Sequence, residues 1–459
     1  MAGPTPPLEV IVLAAGKGTR MCSDLPKVLH EIGGKPMLAH VLDTAHRLSV
    51  DRVHVVYGHG GEQVPVQIDD GSVNWVLQQE QHGTGHAVKQ VMPGVDDDAT
   101  VLVLYGDVPL IGLETLQSLV ARADKGALAL LTVNLENAGV YGRIVRGDNG
   151  EIERIVEHKD ASEDELGIRE INTGFLAAPA GRLRQWLDRL SNDNVQGEYY
   201  LTDVIAMAVN DGYSVVTRNP DTVFEIEGIN SKIELASMER KYQQQQARKL
   251  MEDGVTLRDP ARFDLRGNLS VGRDVTIDIN VIIEGDVELG DGVSIGPNTI
   301  LRDSKIQANT HVLANCLIEQ SAVGAGCRIG PFARLRPGAT IDDNVHIGNF
   351  VEIKNSNVGD GSKINHLTYV GDSDVGSSVN IGAGVITANY DGANKHRTRI
   401  EDNSSVGANS VLVAPISVGK GATLAAGTVL RKDAPAGELT LSSTQQRTVK
   451  GWKRPARKK

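Results

Sequence analysis

A chain of 459 residues, 40% hydrophobic and 23% charged, is too long for one ordinary core, so at least two domains are expected. Its formal net charge of −11 argues against a nucleic-acid binder that works by broad phosphate neutralisation. The three cysteines, Cys22, Cys316 and Cys327, have neither metal-ligand spacing nor the look of a disulfide framework. They read as free thiols in a reducing compartment. The opening MAGPTPPLEVIVLAAG lacks a basic leader, and glycine breaks its apolar run too soon for a signal peptide or membrane span. A cytoplasmic protein with no membrane and no nucleic-acid partner is expected.

In chain order, LEVIVLAA, RVHVVYG, ATVLVLYGD, GALALLTV and NTGFLAAP read as short buried strands. Between them PMLAHVLDTAHRL and ETLQSLVARA carry helical periodicity, so the first half is expected to be an α/β unit with a mostly parallel sheet covered on both faces. Ligands bind such sheets where loops leave the carboxyl ends of the strands. The first strand runs into GKGTR, a glycine-rich turn that offers backbone N–H groups to an anion, with Arg20 and Lys27 within reach. The spacing is neither that of a Walker A loop nor that of a dinucleotide fingerprint, and taken alone the turn is equally an ordinary strand exit.

SKIELASMERKYQQQQARKLMED, 231–253, lacks glycine and proline and reads as a long, polar, exposed helix stopped by Gly254. The expected division is 1–232, a helical linker 233–253, and 254–459. In the last part aliphatic residues recur every six positions: Val275, Val281, Val287 and Val293 in one series, Ile277, Ile283, Leu289 and Ile295 in another. The pattern returns in Ile329, Leu335, Ile341, Ile347 and Ile353, and in Leu412, Val418, Leu424 and Leu430. Each unit is one short strand plus a turn, often with glycine, and it buries its face only by stacking on copies of itself. A three-stranded coil of about 18 residues would advance about 4.8 Å. The period breaks at 361–400, where His366, Tyr369, Asn380, Asn389 and Tyr390 appear with the inserted loop DGANKHRT.

LAAGKGTRM followed by LPK is similar to the signature of sugar-nucleotide pyrophosphorylases, and YGDVPL to their metal-carboxylate motif. QHGTGHA, YGRI, IVEHKDA, EINTGF and EIEGIN follow in order. With the hexapeptide half attached, the chain resembles the bacterial family of bifunctional N-acetylglucosamine-1-phosphate uridylyltransferase and glucosamine-1-phosphate N-acetyltransferase. The resemblance implies a Rossmann-like nucleotidyltransferase domain, a connecting helix and a left-handed parallel β-helix, the handedness resting on the resemblance alone. It implies acetyl transfer from acetyl-CoA to glucosamine-1-phosphate, then uridylyl transfer from UTP to N-acetylglucosamine-1-phosphate, supplying a precursor of cell-wall polymers.

Residue by residue, the resemblance implies that Leu13, Ala14, Ala15 and Gly16 line the nucleotide while Gln78, Gly83 and Thr84 read the uracil. Arg20 and Lys27 would hold the triphosphate, and Asp107 and Asn230 would hold Mg2+. Tyr105, Gly106, Gly142, Glu157 and Asn172 would form the sugar side. The residues alone leave open that Asp107 caps the turn before Pro109 and that Asn230 caps the long helix. In the second half His366 would be the general base, with Arg336, Lys354, Tyr369 and Asn380 on the sugar phosphate. Ala383, Asn389, Tyr390, Lys395, Ala408 and Ala426 would border acetyl-CoA. Ala408 stands where many members have serine, and Ser443 where an arginine contacts CoA. The basic tail KGWKRPARKK would reach CoA or a neighbouring subunit of a homotrimer. Two alternatives stand beside this one: a uridylyltransferase whose prism is only a scaffold, and a non-catalytic assembly subunit.

Overall fold

The computed structural model describes residues 6–442 except 59, 60 and 62, together with 446 and 448–452. Ser443 and residues 453–459 of the basic tail lie outside the described residues. The chain divides into two compact units, Met1–Tyr242 and Gln243–Lys459.

Strands Val215–Arg218, Leu128–Asn134, Glu170–Pro179, Thr100–Tyr105, Leu8–Leu13, Arg52–Tyr57 and Val73–Leu77 form, in that order, the body of a nine-stranded sheet in the first unit. Glu170–Pro179 runs antiparallel to both its neighbours; the other pairings along this path are parallel. A hairpin of Arg143–Arg146 and Ile152–Val156 joins the start of the antiparallel strand. Alternation along each strand divides the apolar residues between two cores. Val10, Val12, Leu102 and Leu104 face one core; Ile11, Leu13, Val101 and Val103 face the other. Helices Met37–His46 and Leu113–Ala123 cover the first core with Leu38, Val41, Leu116 and Leu119. Thr84–Val91, Ala180–Asp188 and Asp203–Asn210 cover the second with Val88, Leu183 and Val204. Because Leu13 pairs with Tyr105, the glycine-rich loop and the Gly106–Asp107 turn leave the sheet side by side.

Helix Lys232–Glu252 follows, and Gly254, at φ +98°, ends it with its N–H on the Met251 carbonyl. It is not exposed throughout, as its polar sequence suggested. Met238 is buried with Ile32, Met37 and Ile229, whereas Ala247 and Leu250 belong to the core of the second unit.

The second unit is a parallel β-helix of short strands. One eleven-stranded sheet runs from Thr256–Leu257 to Leu439–Thr440, and a seventeen-stranded sheet bends around the remaining sides of each coil. All the aliphatic residues of the hexapeptide series point inward and are buried. Register shows the coil directly: Ile277 pairs with Ile295, Ile295 with Val312 and Val312 with Ile329. The outlier is Ile381, whose partner is Val406, because the loop carrying Tyr390 and Lys395 is inserted between them. Glycine has two distinct uses here. Gly290 permits contact: a Cβ there would lie 2.7 Å from the backbone nitrogen of Ala308 on the next coil. The left-handed corners instead carry Asn280, Asn298 and Asn315, whose amides also bond from coil to coil at 2.9 and 3.2 Å. At the same corner Phe332, Phe350 and Leu367 adopt positive φ although bulky, and all three are exposed.

Candidate functional sites

In the first unit a cavity of about 360 Å³ opens where the first strand and Thr100–Tyr105 end. Leu13, Ala14, Ala15 and Gly16 line one side, Gln78, Gly83 and Thr84 a second, and Tyr105, Lys27 and Asp107 the floor and mouth. Gly18, in the left-handed region at φ +59°, lets the loop lie against Lys27, since a Cβ there would fall 2.7 Å from the Lys27 Cβ. The Lys27 ammonium touches the Asp107 carboxylate and donates to Asn230 Oδ1 at 3.0 Å. Asn230 therefore does not cap the following helix; Ser231 accepts the Glu234 N–H instead. Arg20 and Lys17 stand exposed on the same loop, with no ion-pair partner among the described residues.

Two hard oxygens around a cation are chemically suited to a magnesium ion, which takes few protein oxygens and completes its shell with water and phosphate. Among the described residues no group of three or more His, Cys, Asp or Glu gathers to hold a metal.

Gly142, Glu157 and Asn172 also come together. Asn172 N–H donates to the Gly142 carbonyl at 2.9 Å, and a Cβ on Gly142 would sit 3.5 Å from Glu157 Oε2. Burial raises the Glu157 carboxyl above the ordinary range, a bond from Thr202 at 2.8 Å opposes this, and Asp160 adds to the rise. Burial, then the charges of Glu157 and Asp107, push the Tyr105 phenol far up. Gly106 lies beneath it, against Ala14 and Val28. Reading the sequence missed Lys17, Gln81 and Glu198, which line the cavity, and Arg143, whose buried guanidinium donates to the carbonyls of Ala138, Gly139 and Tyr141.

In the second unit a ladder of alternating charge leads to the site. Arg266, Glu284, Arg302 and Glu319 are in register on successive coils and ion-paired. Continuing that line, the next two positions are Arg336 and Lys354, followed by Gly371. Alternation thus gives way to two cations on successive coils, with no carboxylate between them on that line. The inserted loop adds a third: Lys354 lies beside Lys395 and depresses its ammonium pKa. Glu352 takes an Arg336 bond at 2.8 Å. Asp372 is also here; burial would raise its carboxyl, but bonds from Asn355 and Asn389 and the charges of Lys354 and Lys395 bring it below the ordinary range. Tyr369 joins through Asn389, 3.4 Å from its hydroxyl.

His366 sits at the adjoining corner, exposed, its Nδ1 donating to Asn349 Oδ1 at 3.0 Å from the preceding coil. With the proton held on Nδ1, the Nε2 of the neutral ring carries the free lone pair. Asn349 is a further residue missed in the linear reading. The corner continues through Ala383, Ala408 and Ala426: Gly384 N–H bonds the His366 carbonyl, Asn409 N–H that of Ala383, and Gly427 N–H that of Ala408. Asn380 stands apart from Lys354 and Tyr369, on the outward line of Lys363 and Ser405. Tyr390 is exposed on the inserted loop, where it pairs with Lys395.

A nucleotide-sized cavity at the end of a mostly parallel sheet, joined to a hexapeptide β-helix with a histidine and a cation cluster, defines a nucleotidyltransferase fused to a hexapeptide acyltransferase. Residues 10–164 match the family model of the MobA-like NTP transferase domain, 265–338 that of a GMPPB C-terminal domain, and 397–432 that of the hexapeptide repeat of succinyl-transferase. Over 452 residues the chain is 57% identical to the bifunctional protein GlmU of Azoarcus sp. (strain BH72), covering 98% of this chain and 100% of that one. It is 58% identical over 454 residues to that of Thiobacillus denitrificans, covering 99% of each chain. A solved UDP-glucose pyrophosphorylase complexed with UDP-glucose aligns with 51% of this chain and 98% of its own, at 15% identity and a TM-score of 0.43, too distant to carry weight. The chain belongs to the bifunctional GlmU family. It is an enzyme with two activities, uridylyltransferase and N-acetyltransferase.

Proposed function

We propose that the first-unit cavity binds UTP and N-acetylglucosamine-1-phosphate, and that the corner of the second unit acetylates glucosamine-1-phosphate from acetyl-CoA. The observation that carries the first assignment is the Lys27 ammonium held between Asp107 and Asn230 at the cavity mouth. Those two oxygens would hold Mg2+, which when bound supplies charge neutralisation on the triphosphate. Lys27 then turns to the phosphates with Arg20, and both cations offset the charge that develops as pyrophosphate leaves. Leu13, Ala14, Ala15 and Gly16 bind the nucleoside, with Gln78, Gly83 and Thr84 on the base. Gly142, Glu157 and Asn172, with Tyr105 and Gly106, orient the sugar so that its phosphate oxygen attacks the α-phosphorus. No protein nucleophile is needed; catalysis is orientation and charge stabilisation.

In the second unit Arg336 and Lys354 bind the sugar phosphate, with Tyr369; Asn380, on the separate line of Lys363 and Ser405, is left out of this group. His366 Nε2 takes the ammonium proton so that the amine can attack the thioester. Ala383, Asn389, Tyr390 and Ala426 border the coenzyme, and Lys395 pairs with its phosphates. The Ala408 N–H, which has no backbone partner among the described residues, supports the thioester oxygen. The stacked rings of Phe332 and Phe350, 5.1 Å apart and exposed, favour a homotrimer built on this corner. No described helix is long and apolar enough to cross a membrane, and we assign the enzyme to the cytoplasm. The test is to follow thiol and pyrophosphate release separately, with glucosamine-1-phosphate, acetyl-CoA, UTP and Mg2+. Both are expected; thiol release without pyrophosphate, or the reverse, rejects one of the two assignments.

A further inference from the structure

Gln78 is 3% exposed and lines the nucleotide cavity. Its Nε2 donates to His86 Nδ1 at 2.8 Å and lies 3.4 Å from the Gly83 carbonyl, while its Oε1 has no hydrogen-bond partner among the described residues. An amide nitrogen carries two hydrogens, so both donors are engaged and only an acceptor is left for a ligand. His86 belongs to helix Thr84–Val91, with its Nε2 3.1 Å from Gln90 Nε2; a neutral ring accepts at one nitrogen only, so with Nδ1 accepting from Gln78 the Nε2–H faces Gln90, whose exposed amide turns its oxygen to it. Its ring borders a second cavity of about 670 Å³ beside Leu187 and Asp188.

Turning the Gln78 amide over would set Oε1 against the Gly83 carbonyl and would require a proton on His86 Nδ1. Burial, then the neighbouring charges of His82 and Lys89, hold the His86 imidazole below the ordinary histidine range, with Glu80 opposing. From other elements, Tyr199 faces it with ring centroids 6.4 Å apart, and Asp188 pairs with Lys89 at 2.9 Å. At neutral pH the Nδ1 lone pair is therefore available to Gln78.

We propose that His86 is a positioning residue which, together with the Gly83 carbonyl, locks Gln78 with Oε1 toward the base and so selects uracil over cytosine. The proposal rests on Gln78 being the base-binding residue. Uracil offers an N3–H to that oxygen, whereas cytosine sets a bare N3 lone pair against it, and unmatched polar groups in a closed site discriminate strongly.

The test compares kcat/KM for UTP and CTP, by pyrophosphate release with N-acetylglucosamine-1-phosphate and Mg2+, in the full-length enzyme and in His86→Leu, His86→Asn and Gln78→Leu. His86→Leu is expected to lower the UTP:CTP ratio about tenfold, and His86→Asn, which returns an oxygen near the Nδ1 position, to recover most of it. Parallel loss of both substrates in His86→Leu overturns the proposal. If His86→Leu does not fold, His86→Met, which likewise offers Gln78 no strong acceptor, is read in its place. An unchanged ratio in Gln78→Leu would instead reject the base-binding role of Gln78; a collapse there beside an unaffected His86→Leu rejects the role of His86 alone.

Discussion

In the first unit Lys27 and Asn230 meet across 203 residues of chain, each carried on a different loop at the end of the sheet. In the second unit Asn349, His366, Ala383, Ala408 and Ala426 follow one another up a single corner, each on the coil next to the last. A sheet with helices on both faces gathers its chemistry by convergence, so each side chain depends on the placement of a separate loop. A β-helix builds its site by repetition, so each side chain depends on the register of the coil beneath. Damage should stay local in the first case and pass along the corner in the second.

The largest effect tests whether the two sites are separate. Asp107→Ala removes a proposed metal oxygen and the Lys27 partner, and is expected to lower uridylyl transfer by about a thousandfold or more while acetyl transfer stays within about twofold. His366→Ala is expected to do the reverse, lowering acetyl transfer by about a hundred- to ten-thousandfold. Loss of both activities in either folded variant would dissolve the contrast. Next, Lys354→Met should raise KM for glucosamine-1-phosphate by about tenfold, because it removes one of two adjacent cations from the proposed phosphate position. Arg266→Met, lower on the same charge ladder, should leave both KM values unchanged. A similar rise in both variants would mean that the ladder acts as a diffuse field.

Asn349→Leu should lower acetyl-transfer kcat by about tenfold with little change in KM, because His366 then no longer has its proton fixed on Nδ1. An unaltered kcat would mean that the ring orients without its neighbour. The smallest effect is on stability: Gly290→Ala places a methyl group 2.7 Å from the Ala308 backbone and should cost about 1–3 kcal/mol, read as a lower melting temperature of the second unit, with both activities intact.

The β-helix was plain in the sequence because each coil imposes the same burial on its successor, and Ile277, Ile295 and their counterparts repeat that constraint. The charge ladder was not, since its members are adjacent only after the chain is wound, and in the linear sequence they look like scattered surface ions. Asn349 was hidden for the same reason. In the first unit the GKGTR loop and YGDVPL were visible as motifs, but the reversed direction of Glu170–Pro179 was not, because a buried run carries no mark of its orientation. Gln81 and Glu198 went unnoticed because nothing local distinguishes a polar residue facing a cavity from one facing water. The long helix looked exposed because its few apolar contacts, Met238 and Leu250 among them, are diluted by charge.

Gln243, on that helix, is 1% exposed; its Oε1 accepts the Leu265 N–H at 2.7 Å and its Nε2 donates to the Leu265 carbonyl at 2.9 Å. One side chain thereby plays the part of a missing peptide unit against the first full coil. A stack of parallel strands ends in unsatisfied backbone, the template from which fibres grow end to end. Here one position of the terminal strand is answered by a residue of the same chain, and Gln243→Leu would leave the Leu265 N–H and carbonyl open at that end.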